Sequence, residues 1–243
     1  MKDRMEHACI VIKTMEVEKP SLLTAPSTLM RNWVAAILSK IPIISPIVLG
    51  IINSRPEKAP NIIQTSLYGM PDRKFVSESF RVLHHDSERL MAKAYGCEFA
   101  YSYESKKFID AVEAIFDKME RLEEQNEFSL YPSSPLGLRF VKASKFYLAP
   151  EYQQASCYIA NPVLVGQNRA EEIVDYYQEI HITHGGKPHW GKMTNKIEGR
   201  LDLLRAWYPK LDNWQRIMLQ FNPYGTFSND FSKRMELTSS LYV

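Results

Sequence analysis

The sequence predicts an α+β fold in which an antiparallel sheet carries helices on one face, strung together as a split βαβ unit. Three observations lead there. Residues 95–103, YGCEFAYSY, alternate with a period of two. Residues 108–122 and 173–180 repeat apolar side chains at helical spacing. Two further short apolar runs, 136–141 and 157–165, lie between those helices.

In the first strand, Cys97, Phe99, Tyr101 and Tyr103 share one face, with Glu98, Ala100 and Ser102 on the other, as in a half-buried strand. After Ser105, the residues Phe108, Ile109, Val112, Ile115, Phe116, Met119 and Leu122 line one side of a helix. Its opposite side carries Lys107, Asp110, Lys118 and Arg121. A polar loop through Asn126 and Pro132 leads into LGLRFV (136–141), where Leu136, Leu138 and Phe140 share one face while Gly137 and Arg139 share the other.

CYIANPVLV (157–165) reads as the next strand, after a loop around Pro150. A helix from Ala170 to Ile180 follows, with Asn168 as its expected cap and Ile173, Val174, Tyr177 and Ile180 as its buried side. The last strand is expected in the short piece after His181, which completes a ferredoxin-like order. The N-terminal residues 1–90 are assigned only as helices and loops packing on a main domain of residues 91–243.

Composition excludes several classes of function. With 243 residues, 45% of them hydrophobic, the chain can bury a sizeable core and is not a disordered protein. Thirty Lys+Arg against 28 Asp+Glu leave a net charge of +2, which gives no electrostatic ground for a nucleic-acid partner. Cys9, Cys97 and Cys157 are odd in number and far apart, so free thiols in a reducing, cytoplasmic compartment are expected. Met1–Pro20 is charged throughout and has no apolar run of signal-peptide length. Trp33–Ile52 has the length of a membrane span but contains Lys40, Pro42 and Pro46. It reads as two short helices, either packed in a core or subunit contact or lying peripherally against a membrane surface.

Candidate chemistry gathers at 181–192, HITHGGKPHWGK, which holds three of the six histidines. His181 and His184 are three apart, but no cysteine or carboxylate completes a ligand set, and Gly185-Gly186 breaks a helix that would align them; no metal is expected. Trp190 between His189 and Lys192 makes an apolar anchor flanked by two cationic groups, the arrangement that an anion or a polarised oxygen requires. His84-His85-Asp86 reads as a surface turn. The chain has no G-x-S-x-G elbow, P-loop or G-x-G-x-x-G, so these motifs give no support for a self-contained nucleotide fold.

KPHWGK (187–192), followed by WYPKLDNWQRIMLQFNPYGTFSNDFSKR (207–234), resembles the C-terminal end of the sugar-lactone and alditol oxidases. These are FAD-dependent enzymes of the vanillyl-alcohol oxidase type, among them D-arabinono-1,4-lactone oxidase and L-gulonolactone oxidase. LGLRFVKASKFYLAPEY (136–152) resembles that family's strand ending in x-R-F-x-x-A, and YGCEFAYSYES (95–105) resembles the strand that opens its cap domain. Together these segments span about residues 90–235.

The resemblance implies a substrate-binding cap domain that covers the flavin ring and holds a small alcohol or lactone for oxidation at a CH–OH group. It implies that FAD is held mainly by a domain absent from this chain and supplied in trans or by a longer polypeptide. Arg139, His189 and Lys192 are the implied catalytic residues, and His189, Lys192 and Asn229 the implied cofactor contacts, with Trp190 as packing. Many members carry a glutamate two residues before the strand arginine, where this chain has Gly137. Two alternatives stay open on that account: a cap acting on a hydrophobic, sterol-like alcohol, or a non-catalytic remnant or interaction module that keeps the cap fold. Lys192→Met and Arg139→Leu are expected to abolish turnover of the assembled enzyme and to leave folding intact.

Overall fold

A computed structural model describes residues 44–62 and 93–238. Cys9, His84-His85-Asp86 and the first part of the 33–52 segment lie outside them. The chain divides into two units.

The smaller unit holds helix α1 (Ile44–Ser54), a 3-10 turn at Pro56–Lys58 and residues 164–168. Pro46 lies in the first turn of α1, where a missing N–H leaves no intrahelical bond unmade, so this proline does not interrupt the helix. Ile47 and Ile51 are exposed on it. Asn53 ties the unit together: its Nδ2 donates to the Gly166 carbonyl at 2.9 Å, and its Oδ1 accepts the Asn168 N–H at 2.8 Å. Gly166 has φ +92, a backbone conformation that a side chain would strain, and a Cβ there would also push on Leu49 Cδ2 at 2.9 Å.

The larger unit is built on a four-stranded sheet. Its elements are β1 (Ala94–Ser102), α2 (Lys107–Glu124), β2 (Gly137–Val141), β3 (Ser156–Leu164), α3 (Ala170–Thr183) and β4 (Lys187–Pro188). The strands lie in the order β2-β3-β1-β4. Pairing is antiparallel between β2 and β3, with Arg139 opposite Tyr158, and between β1 and β4, with Phe99 opposite Pro188. Just past the end of β1, the Tyr103 N–H donates to the Ala155 carbonyl at 2.9 Å. The α+β class and the antiparallel sheet are as the sequence predicts.

One face of the sheet is covered by α2 and α3. Cys97, Phe99, Tyr101, Ile159 and Val163 from the strands pack with Val112 and Ile115 of α2 and Ile173, Val174 and Tyr177 of α3.

Two boundaries differ from expectation. Asn168 does not cap α3; its polar groups go to Asn53, and Arg169, with φ 57, takes the N-cap position without a capping bond from its side chain, which instead pairs with Glu127 and Glu172. The helix also runs on to Thr183, which draws His181 into its last turn, and β4 begins only at Lys187. Gly185, at φ +74, ends the helix in the left-handed conformation, and Gly186 follows so close to Tyr101 that a Cβ would lie 2.7 Å from the ring.

Beyond β4 lie three short helices: α4 (Leu201–Trp207), α5 (Leu211–Phe221) and α6 (Asp230–Arg234). The sequence reading assigns no elements there. Leu204, Tyr208, Leu211 and Met235 form their own core, and Trp190 packs against it. The Trp190 ring lies 5.1 Å from Tyr208, and its Nε1–H donates to the Leu148 carbonyl at 2.7 Å. Trp190 therefore serves packing. No helix among the described residues is long and apolar enough to cross a membrane.

Candidate functional site

Strand alternation sends Phe99 and Tyr101 toward the helices, so Glu98 points to the opposite face of the sheet. There it meets Arg139 of β2. The Arg139 Nε–H donates to Glu98 Oε1 at 2.7 Å, in a pair whose carboxylate side chain is 6% exposed and whose arginine is 54% exposed. The β2–β3 register sets Arg139 directly across from Tyr158, and the guanidinium carbon lies 4.6 Å from the centre of that ring. With Nε given to Glu98 and one face given to Tyr158, neither terminal Nη has a hydrogen-bond partner among the described residues.

The Tyr158 hydroxyl donates to Glu151, in the loop before β3. Burial pushes the Tyr158 pKa upward, and the hydrogen bond to Glu151 adds to it, so this side chain stays a phenol at every physiological pH.

His189 follows β4, and its backbone N–H donates to the Glu98 carbonyl at 2.8 Å. Its ring stands edge-on to Tyr158, with centroids 6.3 Å apart. His189 Nδ1 accepts the Gly191 N–H at 3.1 Å, so in the neutral imidazole the proton sits on Nε2. A turn closed by the Lys192 N–H on the His189 carbonyl, at 3.0 Å, then presents Lys192. Its side chain is exposed and has no ion-pair partner among the described residues.

The structure thus brings Arg139 and His189 together around Tyr158 and places Lys192 one turn beyond. Asn229 starts α6 as its N-cap: its Oδ1 accepts the Ser232 N–H and Ser232 Oγ accepts the Asn229 N–H, both at 2.9 Å, in a capping box. Asn229→Ala should lower stability by about 1 kcal/mol, as cap removal does, and leave ligand affinity at Arg139 unchanged; thermal melts and a titration check the two halves.

Arg139→Leu is expected to lower stability as well as turnover, because Arg139 is the ion-pair partner of Glu98. Removing the guanidinium strands a buried carboxylate at Glu98, which carries a desolvation cost of its own.

Three residues of this face escape the sequence reading. Glu98 left a trace, as the one charged residue in 95–103. Tyr158 and Glu151 left none, because their meeting with Arg139 depends on a register fixed across the intervening loop.

His181 is no ligand. Its Nδ1 accepts the Tyr101 O–H and its Nε2–H donates to Asn161 Oδ1, each at 2.7 Å. Burial pushes its pKa down to about 3. Among the described residues no group of three or more His, Cys, Asp or Glu side chains could hold a metal ion.

The family model described as D-arabinono-1,4-lactone oxidase matches residues 5–235. The chain belongs to this family. The match begins well before residue 90, so the family likeness includes the N-terminal segment that the sequence reading left outside it.

Among curated relatives, L-gulono-1,4-lactone dehydrogenase of Mycobacterium tuberculosis is 27% identical over 141 residues, which is 57% of this chain and 30% of that protein. L-gulonolactone oxidase of Scyliorhinus torazame is 29% identical over 105 residues, 41% of this chain and 23% of that protein. The mouse L-gulonolactone oxidase is 26% identical over 104 residues, 42% of this chain and 23% of that protein. The matched stretches therefore cover less than a third of the length of each of these relatives.

Proposed function

We propose that this chain is the substrate-binding, C-terminal portion of an FAD-dependent oxidoreductase that oxidises a sugar-1,4-lactone at a CH–OH group. In this reading the larger unit is a ferredoxin-like cap, and the flavin is held mainly by a domain outside these 243 residues. The observation that carries the reading is the face formed by Glu98, Arg139, Tyr158 and His189 in a chain of the lactone oxidase family.

The donor set fits both substrate and cofactor. The Arg139 Nη fork, the His189 Nε2–H and the Lys192 ammonium are all donors, and they suit a lactone carbonyl or an electron-rich ring that gains negative charge on reduction. FAD, when bound, would supply the acceptor for the hydride leaving the substrate C–H. Arg139 would bind and orient the carbonyl oxygen, His189 would hold a proton at Nε2 beside it, and Lys192 would offset the charge that accumulates.

Polar character also favours a lactone over a sterol-like alcohol. Gly137 leaves its own position without a carboxylate, yet Glu98 presents one to Arg139 from β1, so the site keeps an acid-and-guanidinium pair.

The test is a titration of the full chain, labelled with nitrogen-15, with L-gulono-1,4-lactone. Saturable shifts should concentrate at the Arg139 Nε–H and the His189 ring, and Lys192→Met should weaken them by about tenfold, the loss of one charge-assisted contact. The absence of any shift up to millimolar lactone would count against the reading.

A further inference from the structure

We infer that Glu98 sets the specificity of this face, favouring a neutral lactone over the aldonate anion that forms when the lactone ring is hydrolysed. The inference rests on the proposed function and adds to it the residue that discriminates.

The geometry points there in three steps. An arginine with a free Nη fork is ordinarily a carboxylate receptor, because the fork matches two carboxylate oxygens. Here the guanidinium charge is already met by Glu98 at 2.7 Å, and that carboxylate is nearly buried, so little water screens it. A ligand carboxylate seated on the Nη groups of Arg139 would lie close to a second negative charge, with Glu151 adding another through its contact with Tyr158.

Counting the named groups, Arg139 and Lys192 supply two positive charges while Glu98 and Glu151 supply two negative ones. No net positive charge is left to draw in an anion. A lactone carbonyl meets no such repulsion: it accepts from the Nη groups as a dipole and leaves the Arg139–Glu98 pair undisturbed. This is discrimination by a repulsive element against the wrong ligand rather than by an extra contact to the right one.

The substrate and its competitor differ by one molecule of water, since hydrolysis opens the ring to a hydroxy acid that ionises at neutral pH. An enzyme acting on the lactone meets both in the same solution. Without Glu98, Arg139 would hold the hydrolysis product as a competitive inhibitor.

Titrations of the full chain with L-gulono-1,4-lactone, L-gulonate and L-gulonamide, read at the Arg139 Nε–H and by calorimetry, test this without needing flavin or turnover. The wild-type chain should bind the lactone at least about tenfold more tightly than the gulonate. The gulonamide, an uncharged counterpart of the gulonate, should also bind more tightly than the gulonate. In Glu98→Gln the preference for lactone over gulonate should shrink by about tenfold or invert, through tighter gulonate binding. A role of Glu98 in packing alone would weaken all three ligands together and leave their ratios unmoved, which would overturn the inference. Equal wild-type affinity for gulonate and gulonamide would overturn it with no variant at all, so the test survives if Glu98→Gln fails to fold. A wild-type chain that binds none of the three would overturn the proposed function and this inference with it.

Discussion

Replacing Arg139 with lysine is expected to weaken L-gulono-1,4-lactone binding by about 10- to 100-fold while moving the melting temperature by only a few degrees. The two parts separate because Arg139 does two things. Its charge satisfies the buried Glu98 carboxylate at 2.7 Å, and a lysine at this half-exposed position in the middle of β2 keeps a positive charge beside that carboxylate. Its planar fork lies on Tyr158 with no hydrogen-bond partner at the Nη groups among the described residues, and lysine has neither the plane nor the fork. Arg139→Leu should lose affinity to the same extent and also lose stability, by about 1–3 kcal/mol, because Glu98 is then buried without a partner. Denaturant melts beside lactone titrations of the two variants check the separation. A lysine variant that binds like wild type would remove the guanidinium from the site.

The second large effect belongs to the core. His181→Leu should cost about 3 kcal/mol, since it strands the Asn161 amide oxygen, leaves the Tyr101 hydroxyl only the residue-181 carbonyl at 3.4 Å, and removes a ring stacked on Phe99. In a chain of this length that is a fall in melting temperature of roughly 6–12 °C.

The same histidine makes the fold acid-sensitive. Its pKa is about 3 in the folded chain against 6.5 when exposed, so the unfolded chain takes up the proton first as pH falls. The stability this provides is complete above about pH 6.5 and declines by about 1.4 kcal/mol per pH unit between there and about pH 3. Wild type should therefore be about 2 kcal/mol less stable at pH 5 than at pH 7, and His181→Leu should lack that increment. Equilibrium unfolding at the two pH values measures it, and an equal loss in both proteins would assign the acid sensitivity to other groups.

Periodicity made the central elements legible. Residues 95–103 alternate in sequence, although β1 is buried on both faces from Cys97 to Tyr101 and not on one as the alternation predicts. Helices α2 and α3 show apolar repeats long enough to distinguish 3.6 from 2. β4 has two residues, too few for any period, and owes its place to a backbone ladder with Phe99 and Ala100. The end of α3 lies three residues beyond the expected Ile180 for a related reason: Gly185 marks the stop, but the histidine four residues earlier reads as part of a polar loop until Tyr101 and Asn161 satisfy both its nitrogens. A buried histidine and an exposed one have the same letter in a sequence.

The candidate site was legible only in part. Arg139 and His189 emerge from motif resemblance, and the structure sets both against Tyr158. What completes the face comes from register. Glu98 reaches Arg139 from β1, with β3 lying between their strands, and Glu151 reaches Tyr158 from a loop, so neither contact has a spacing in sequence to announce it. Arg139 therefore takes its carboxylate partner from a position forty-one residues away, on another strand.

The central claim, that this chain forms the substrate side of a flavin enzyme, is tested most directly by the visible absorption spectrum of the tagged chain isolated from its native cells. Flavin bands near about 375 and 450 nm, those of the cofactor's own chromophore, bleaching on addition of L-gulono-1,4-lactone, are the expected result. A colourless preparation with no flavin-bearing partner would contradict the account and assign the fold to a non-catalytic module.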